Sequence, residues 1–245
     1  MKLLLIRNST NYKEPYLGWC QPLIAEFLQG TADEILFVPY AGVDVGGKVY
    51  PESYDSYTAR VRGVFEKLGK KVVSVHETSD PVAAVNNAKF IMVGGGNTFH
   101  LVAELHRHKL IQPIRRKVME GTPYMGWSAG SNVACPTLCT TNDMPIVMPD
   151  SFDCMGLVPF QINPHYTDFF DPKHGGETRD DRLKEYIMVN PKATVAAIRE
   201  ATALLLENGD LKLIGKPNKM KVFKTKMENT KEYALEDNLN FLLKA

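Results

Sequence analysis

The residues with the plainest chemical potential in this 245-residue chain lie in Pro123-Tyr-Met-Gly-Trp-Ser-Ala-Gly-Ser-Asn-Val133. An apolar lead-in followed by Gly126-x-Ser128-x-Gly130 is the pattern of a nucleophile elbow, a sharp strand-to-helix turn that lifts one hydroxyl out of a sheet. Ser128 is the candidate nucleophile. Glycine at 126 and 130 has a steric reason, because such a turn crowds the positions two before and two after the nucleophile. The helix expected to follow brings free N–H groups and a positive dipole end to the place where an oxyanion would form. The competing use of the same residues is a tight glycine turn whose serine caps a helix.

A serine nucleophile needs a base and oxyanion donors. His165 stands in Asn163-Pro-His-Tyr166 at the end of an apolar run; the proline holds the backbone, so a histidine there is well placed as general base. His76, His100, His106, His108 and His174 fall on helices or soft loops, where exposed or capping roles are expected. One oxyanion donor would be the backbone N–H of Ala129, and the second would come from a neighbouring strand-to-helix loop. The loop Gly94-Gly-Gly-Asn-Thr-Phe99 offers Gly95 or Gly96. It fails as a dinucleotide fingerprint because Phe99 occupies the third glycine position, and its other reading is a glycine turn that serves helix packing.

Strand-like apolar runs at 2–7, 34–41, 71–76 and 89–93, with the elbow strand and 157–162, alternate with helical spacing at 17–28, 57–68, 98–105, 110–121 and 177–188. That alternation marks an α/β fold with a mainly parallel sheet. Pro159 makes 157–162 an edge or bulged strand. Thr178 is the expected cap of the 177–188 helix, with Asp180 and Asp181 in its first turn. Strands at 193–198 and 203–207 follow, then a hairpin turn at 207–210 into 211–214 and a closing helix at 233–243. Five lysines between Lys216 and Lys226 read as a solvated edge that resists sheet-to-sheet pairing.

With 44% apolar and 23% charged residues and a net charge of +1, nothing global steers the chain toward nucleic acid or an anionic membrane. Its length fits one domain, residues 1–245. No apolar run is long enough for a signal peptide or a membrane span, so a cytoplasmic location is expected. Cys20, Cys135, Cys139 and Cys154 form no paired metal-binding spacing, so reduced thiols and no metal are expected.

Five blocks, Val93-Gly-Gly-Gly-Asn-Thr-Phe99, Gly126-Trp-Ser-Ala-Gly130, Thr140-Thr-Asn-Asp-Met-Pro-Ile-Val147, Gln161-Ile-Asn-Pro-His165 and Gly176-Glu-Thr-Arg179, fall in the order found in one known family. The chain resembles the peptidase E family, α-aspartyl dipeptidases that share their architecture with class I glutamine amidotransferases. The resemblance implies a flavodoxin-like α/β fold, with a mainly parallel sheet sandwiched by helices and a small antiparallel C-terminal extension. It implies Ser128 as nucleophile, His165 as base, and either Asp143 or Glu200 as the orienting acid. Glu200 is preferred as direct partner because it sits at a strand end, whereas Asp143 lies in a loop suited to substrate contact. Arg179 is the arginine the family places against an aspartyl carboxylate, and Asn97 could add an amide there. No cofactor, metal or nucleic acid is implied; the partners are Asp-Xaa dipeptides, and the chain would be a monomer or small homo-oligomer. The order Ser128, His165, Glu200 differs from that of α/β-hydrolases, whose acid precedes the histidine. A cyanophycinase-like acyl hydrolase and a non-catalytic small-molecule binder are the competing readings.

Overall fold

The computed structural model describes residues 1–170, 173, 175–225 and 230–244. Its strands, in chain order, are β1 (Lys2–Ile6), β2 (Glu34–Val38), β3 (Asp44–Val45), β4 (Lys48–Val49), β5 (Lys71–Ser74), β6 (Ile91–Val93), β7 (Tyr124–Trp127), β8 (Gln161–Asn163), β9 (Thr194–Ala197), β10 (Thr202–Glu207), β11 (Asp210–Gly215), β12 (Met220–Lys224) and β13 (Lys231–Tyr233). The α-helices are α1 (Gln21–Phe27), α2 (Ser53–Phe65), α3 (Pro81–Asn87), α4 (Thr98–Arg107), α5 (Ile111–Met119), α6 (Ala129–Asn132) and α7 (Arg179–Val189).

Seven strands form the main sheet in the order β11-β10-β1-β7-β6-β2-β5. The run from β1 to β5 is parallel, and β10 and β11 extend it antiparallel. The near-continuous apolar sequence of β1 follows from burial on both faces. Leu3 and Leu5 join a core with Leu101 and Leu105 of α4 and Ile114 of α5, while Leu4 and Ile6 join another with Ile24 of α1 and Val61 of α2. Helices therefore cover both faces of the sheet.

A second sheet, β13-β12-β9-β8, stands beside the first, with β8 parallel to β9 and the other pairs antiparallel. Alternation along β9 gives each of its faces a separate core. Ala196 belongs to the main core, whereas Val195 and Ala197 pack with Leu183 and Ile187 of α7. Among the described residues, no helix is long and apolar enough to cross a membrane.

Several sequence expectations need correction. Helix α1 begins at Gln21, with Pro22 in its first turn, while Leu17 takes a left-handed φ of 57° that removes it from the helix. The strand expected at 157–162 forms only at Gln161–Asn163, on the edge of the small sheet, beyond Pro159. The tail forms strand β13 and a 3₁₀ turn at Asn240–Lys244 rather than one long helix. Lys221 is not part of a solvated edge: it turns inward and pairs with Asp180 at 2.6 Å. His100 is buried and hydrogen-bonded to Tyr54 Oη at 2.8 Å, rather than exposed. Cys139 is exposed, and the other three thiols are buried. His174 and Lys226 lie outside the described residues.

Candidate active site

Strand β7 delivers Ser128 into a backbone conformation of φ 53° and ψ −114°. A non-glycine residue holds a positive φ at a cost, and tight functional turns are where that cost is carried. The turn is pinned by the Ser128 N–H donating to the Ile6 carbonyl at 3.0 Å. The Ser131 hydroxyl lies between the carbonyls of Ile6 and Gly126, at 2.7 and 2.8 Å. A Cβ on Gly126 would strike the Gly130 carbonyl, and one on Gly130 would strike that of Val93. Helix α6, however, is four residues long. Its dipole is therefore small, and any oxyanion must be met by individual N–H groups.

Ser128 Oγ lies 2.7 Å from His165 Nε2. The histidine comes from the loop after β8 and itself adopts a left-handed φ of 59°. Buried Asn163 braces this loop, its Nδ2 donating to the Thr140 carbonyl at 2.8 Å and to Asn142 Oδ1 at 2.7 Å. Asn142 in turn donates to the Pro164 carbonyl. Burial pushes the His165 pKa down to about 4; the Arg7 charge lowers it further, Asp143 opposes, and Arg179 adds to the lowering. The imidazole is thus neutral near pH 7 and able to accept the Ser128 proton at Nε2, which requires its own proton on Nδ1.

Neither candidate acid touches the ring: among the described residues no carboxylate is hydrogen-bonded to His165. Asp143 Oδ2 accepts from the Thr98 N–H at 2.7 Å, Thr98 Oγ1 at 2.5 Å and Thr141 Oγ1 at 3.1 Å, which fastens it to the first turn of α4. Glu200 is exposed on the turn between β9 and β10. Its charge acts on Arg7, supporting the cationic form, while Asp143 is the acid whose charge favours the His165 imidazolium. Glu200 does follow a strand, but the sheet change between β9 and β10 leaves its turn at the surface. Asn97 caps α4 through Oδ1, accepting from the His100 N–H at 3.0 Å, and its Nδ2 donates to the Met144 carbonyl at 2.8 Å.

Beside the elbow, a Cβ on Gly95 would come within 2.9 Å of Ser128 Cβ and the Trp127 carbonyl. Gly96 has a φ of 141°, and a Cβ there would strike the Ala41 carbonyl. Among the described residues the N–H groups of Gly95, Gly96 and Ala129 have no hydrogen-bond partner. Tyr57 fixes this loop: its hydroxyl donates to the Gly95 carbonyl at 2.8 Å and receives the Trp127 Nε1–H at 3.0 Å. Because the peptide is trans, a Gly95 carbonyl turned toward Tyr57 aims the Gly96 N–H the opposite way. Sequence reasoning missed Tyr57; the available signal was that a buried tyrosine needs a partner for its hydroxyl.

Arg179 opens α7 behind a capping box in which Thr178 Oγ1 accepts from the Asp181 N–H at 3.1 Å. It lines a cleft of about 450 Å³ with Thr167, Phe169 and Phe170. Its Nε is buried without a partner, and burial lowers its pKa. As for metals, Asp55, His76 and Glu77 lie close enough to share an ion, but Glu77 is taken by Arg62 at 2.6 Å.

Residues 3–214 match the model of peptidase family S51. The chain belongs to that family. It is a serine peptidase, a hydrolase. It is 46% identical to Peptidase E of a Nostoc species over 99% of this chain and 96% of that protein. To Peptidase E of Escherichia coli it is 44% identical over 91% and 94%. The crystal structure of a putative peptidase E protein from Listeria monocytogenes superposes with a TM-score of 0.60 at 23% identity, covering 87% of this chain and 98% of that one. A peptidase from an acI-B1 actinobacterium gives 0.64 at 16% identity over 97% and 96%. At these identities the two structures bear on the fold, which they share with this chain.

Proposed function

We propose that this serine peptidase is a cytoplasmic dipeptidase that hydrolyses Asp-Xaa substrates through an acyl-enzyme on Ser128. The observation that carries the aspartate preference is the Arg179 guanidinium, within electrostatic reach of His165 and with a buried, unpartnered Nε. A permanently charged fork of donors matches a carboxylate better than any other side chain does. Relatives named Peptidase E along nearly the whole chain support the same reading.

In this mechanism His165 takes the Ser128 proton as Oγ attacks the aspartyl carbonyl, and the tetrahedral oxyanion is met by the N–H groups of Ala129 and of Gly95 or Gly96. The carbonyl re-forms as the C–N bond breaks, with His165 passing its proton to the leaving nitrogen. Water then attacks the acyl-enzyme carbonyl with His165 again as base; the second tetrahedral intermediate collapses as its bond to Ser128 Oγ breaks, His165 returns the proton to Oγ, and free aspartate leaves. Asp143 acts on the imidazolium through its charge. Asn97 holds the Asp143 loop and has one amide hydrogen left for substrate.

The test compares kcat/KM for Asp-Leu, Asn-Leu and Ala-Leu in the parent and Arg179→Met enzymes. Exchanging the carboxylate for an amide leaves the half-buried Arg179 guanidinium without its charge partner, so the parent should favour Asp-Leu over Asn-Leu by at least about a hundredfold, from roughly 3 kcal/mol of charged hydrogen bonding. Arg179→Met should erase most of that preference. Similar rates on all three substrates in the parent would overturn the specificity, and a preference untouched by the substitution would remove Arg179 from it.

A further inference from the structure

Arg7 is the second guanidinium at this site, and nothing in the mechanism above uses it. It follows Ile6, whose carbonyl receives the Ser128 N–H, and its Nη2 donates to the carbonyl of Tyr166, the residue after His165, at 3.5 Å. The side chain therefore bridges the seam between the strand beside the nucleophile and the loop of the base. Of its five N–H donors this long contact is the one used among the described residues, and its Nε is buried without a partner. Glu200 supplies a countercharge through space, but no ion pair joins the two among the described residues. A part-buried cation this poorly satisfied, beside a reacting pair, is arranged for an anion that arrives with the substrate.

Sheet order says which part of the substrate comes near it. Strand β7 has β6 on one side and β1 on the other. The Gly95-Gly96 loop follows β6, so the substrate carbonyl oxygen turns to that side, while Arg7 follows β1 and stands on the opposite side, at the His165 loop. His165 must hand its proton to the leaving nitrogen, so the leaving amino acid departs past the same loop. In a dipeptide that nitrogen is one carbon away from a free carboxylate. In a longer or amidated peptide the same position holds a neutral amide.

We propose that Arg7 forms a second anion subsite that takes the free carboxylate of the leaving amino acid, so that this chain selects dipeptides over peptides extended or amidated at the carboxyl end. The proposal rests on the Asp-Xaa reading, in which Arg179 holds the side-chain carboxylate and leaves Arg7 the terminal one.

Initial rates on Asp-Leu, Asp-Leu-amide and Asn-Leu at pH 7.5, with the parent, Arg7→Met and Arg7→Lys enzymes, test it. The parent should lose roughly ten- to a hundredfold in kcat/KM on amidation, chiefly in KM, as expected for loss of a charged hydrogen-bonded pair. Arg7→Met should bring the ratio of Asp-Leu to Asp-Leu-amide close to one, and Arg7→Lys should keep part of it. Equal rates on the acid and the amide in the parent overturn the subsite whether or not any variant folds. A parent ratio that survives Arg7→Met, or Arg7→Lys if the methionine variant does not fold, assigns the selectivity elsewhere and also overturns it. The Asn-Leu arm separates the two readings: loss of aspartate preference with retained amide discrimination sinks the Asp-Xaa reading alone, and the reverse sinks the Arg7 subsite alone.

Discussion

Lowering the pH titrates His165, and the structure fixes where that should happen. The imidazole sits at about 4 instead of 6.5, because burial disfavours the cation first and the Arg7 charge second. The gap corresponds to roughly 3 kcal/mol against the imidazolium in the free enzyme. Only the neutral ring can act as base, so the acidic limb of kcat/KM should fall near pH 4 and not near 6.5. At pH 5.5 nearly all of the enzyme should be competent, whereas an unperturbed histidine would leave about a tenth. The aspartyl carboxyl of the proposed substrate also titrates at about 3.9, so the direct assay is NMR of ¹³C-labelled histidine in the unliganded protein. Folding stability carries the same signature. Between about 4 and 6.5 the unfolded chain binds the proton and the folded chain does not, so stability is complete above 6.5, declines as pH falls toward 4, and levels off below. His100 and His108, lowered mainly by burial, push in the same direction. A His165 resonance titrating between about 6 and 7 would refute the burial argument and with it the claim that the base is poised neutral by its surroundings.

For the acid, Asp143→Asn should lower kcat by about a hundredfold or more and move the His165 titration further down, while Glu200→Gln should change kcat by less than about tenfold. Steady-state kinetics of both variants decide this, and the opposite pattern would make Glu200 the acid that serves His165. Tyr57→Phe keeps the ring packing but frees the Gly95 carbonyl and strands the Trp127 Nε1–H. It should cost about 1–3 kcal/mol in urea unfolding and lower kcat more than it raises KM. A change in KM alone would mean that the hydroxyl does not position an oxyanion donor.

The parts of the site legible in the sequence were those in which one local rule determines the residue. Gly126 and Gly130 are obligatory because a Cβ at either would meet backbone carbonyl, and that crowding is built into the elbow motif itself. Thr178 and Asp181 announce the start of α7, since a capping box is a four-residue pattern. Asn208-Gly209 announces the β10-β11 turn, and both residues take a positive φ there. What the sequence hid depends on tertiary choice. The strands β9 and β10 are separated by a short turn yet enter different sheets, because after Ala197 the chain leaves the small sheet and Ala203 pairs with Ile6 of β1. That change of sheet decides where Glu200 points, and no period in the residues signals it. Arg7 was hidden for the same reason: it closes the apolar run at 2–7, and its contact with the Tyr166 carbonyl joins residues 159 positions apart.

The proposed catalytic pair is divided between the two sheets, Ser128 at the end of a strand in one and His165 just beyond a strand in the other. Their 2.7 Å contact is therefore set by how the sheets dock, and the groups that hold the His165 loop to the small sheet bear on the chemistry. The Tyr166 hydroxyl reaches Asp168 and Asp180, and Lys221 from β12 reaches Asp180 at 2.6 Å. Arg199 joins Asp168 to Glu232 while its guanidinium lies over the Tyr166 ring, 5.3 Å from its centre. Partly buried ion pairs of this kind contribute little net stability, since the cost of desolvation offsets most of the attraction. Their consequence here is geometric. Asp180 follows Arg179 at the start of α7 and is bonded to the residue after His165, so one network sets both the proposed base and the proposed aspartate reader against Ser128. A displacement of either by about 1 Å costs catalysis far more than it costs folding.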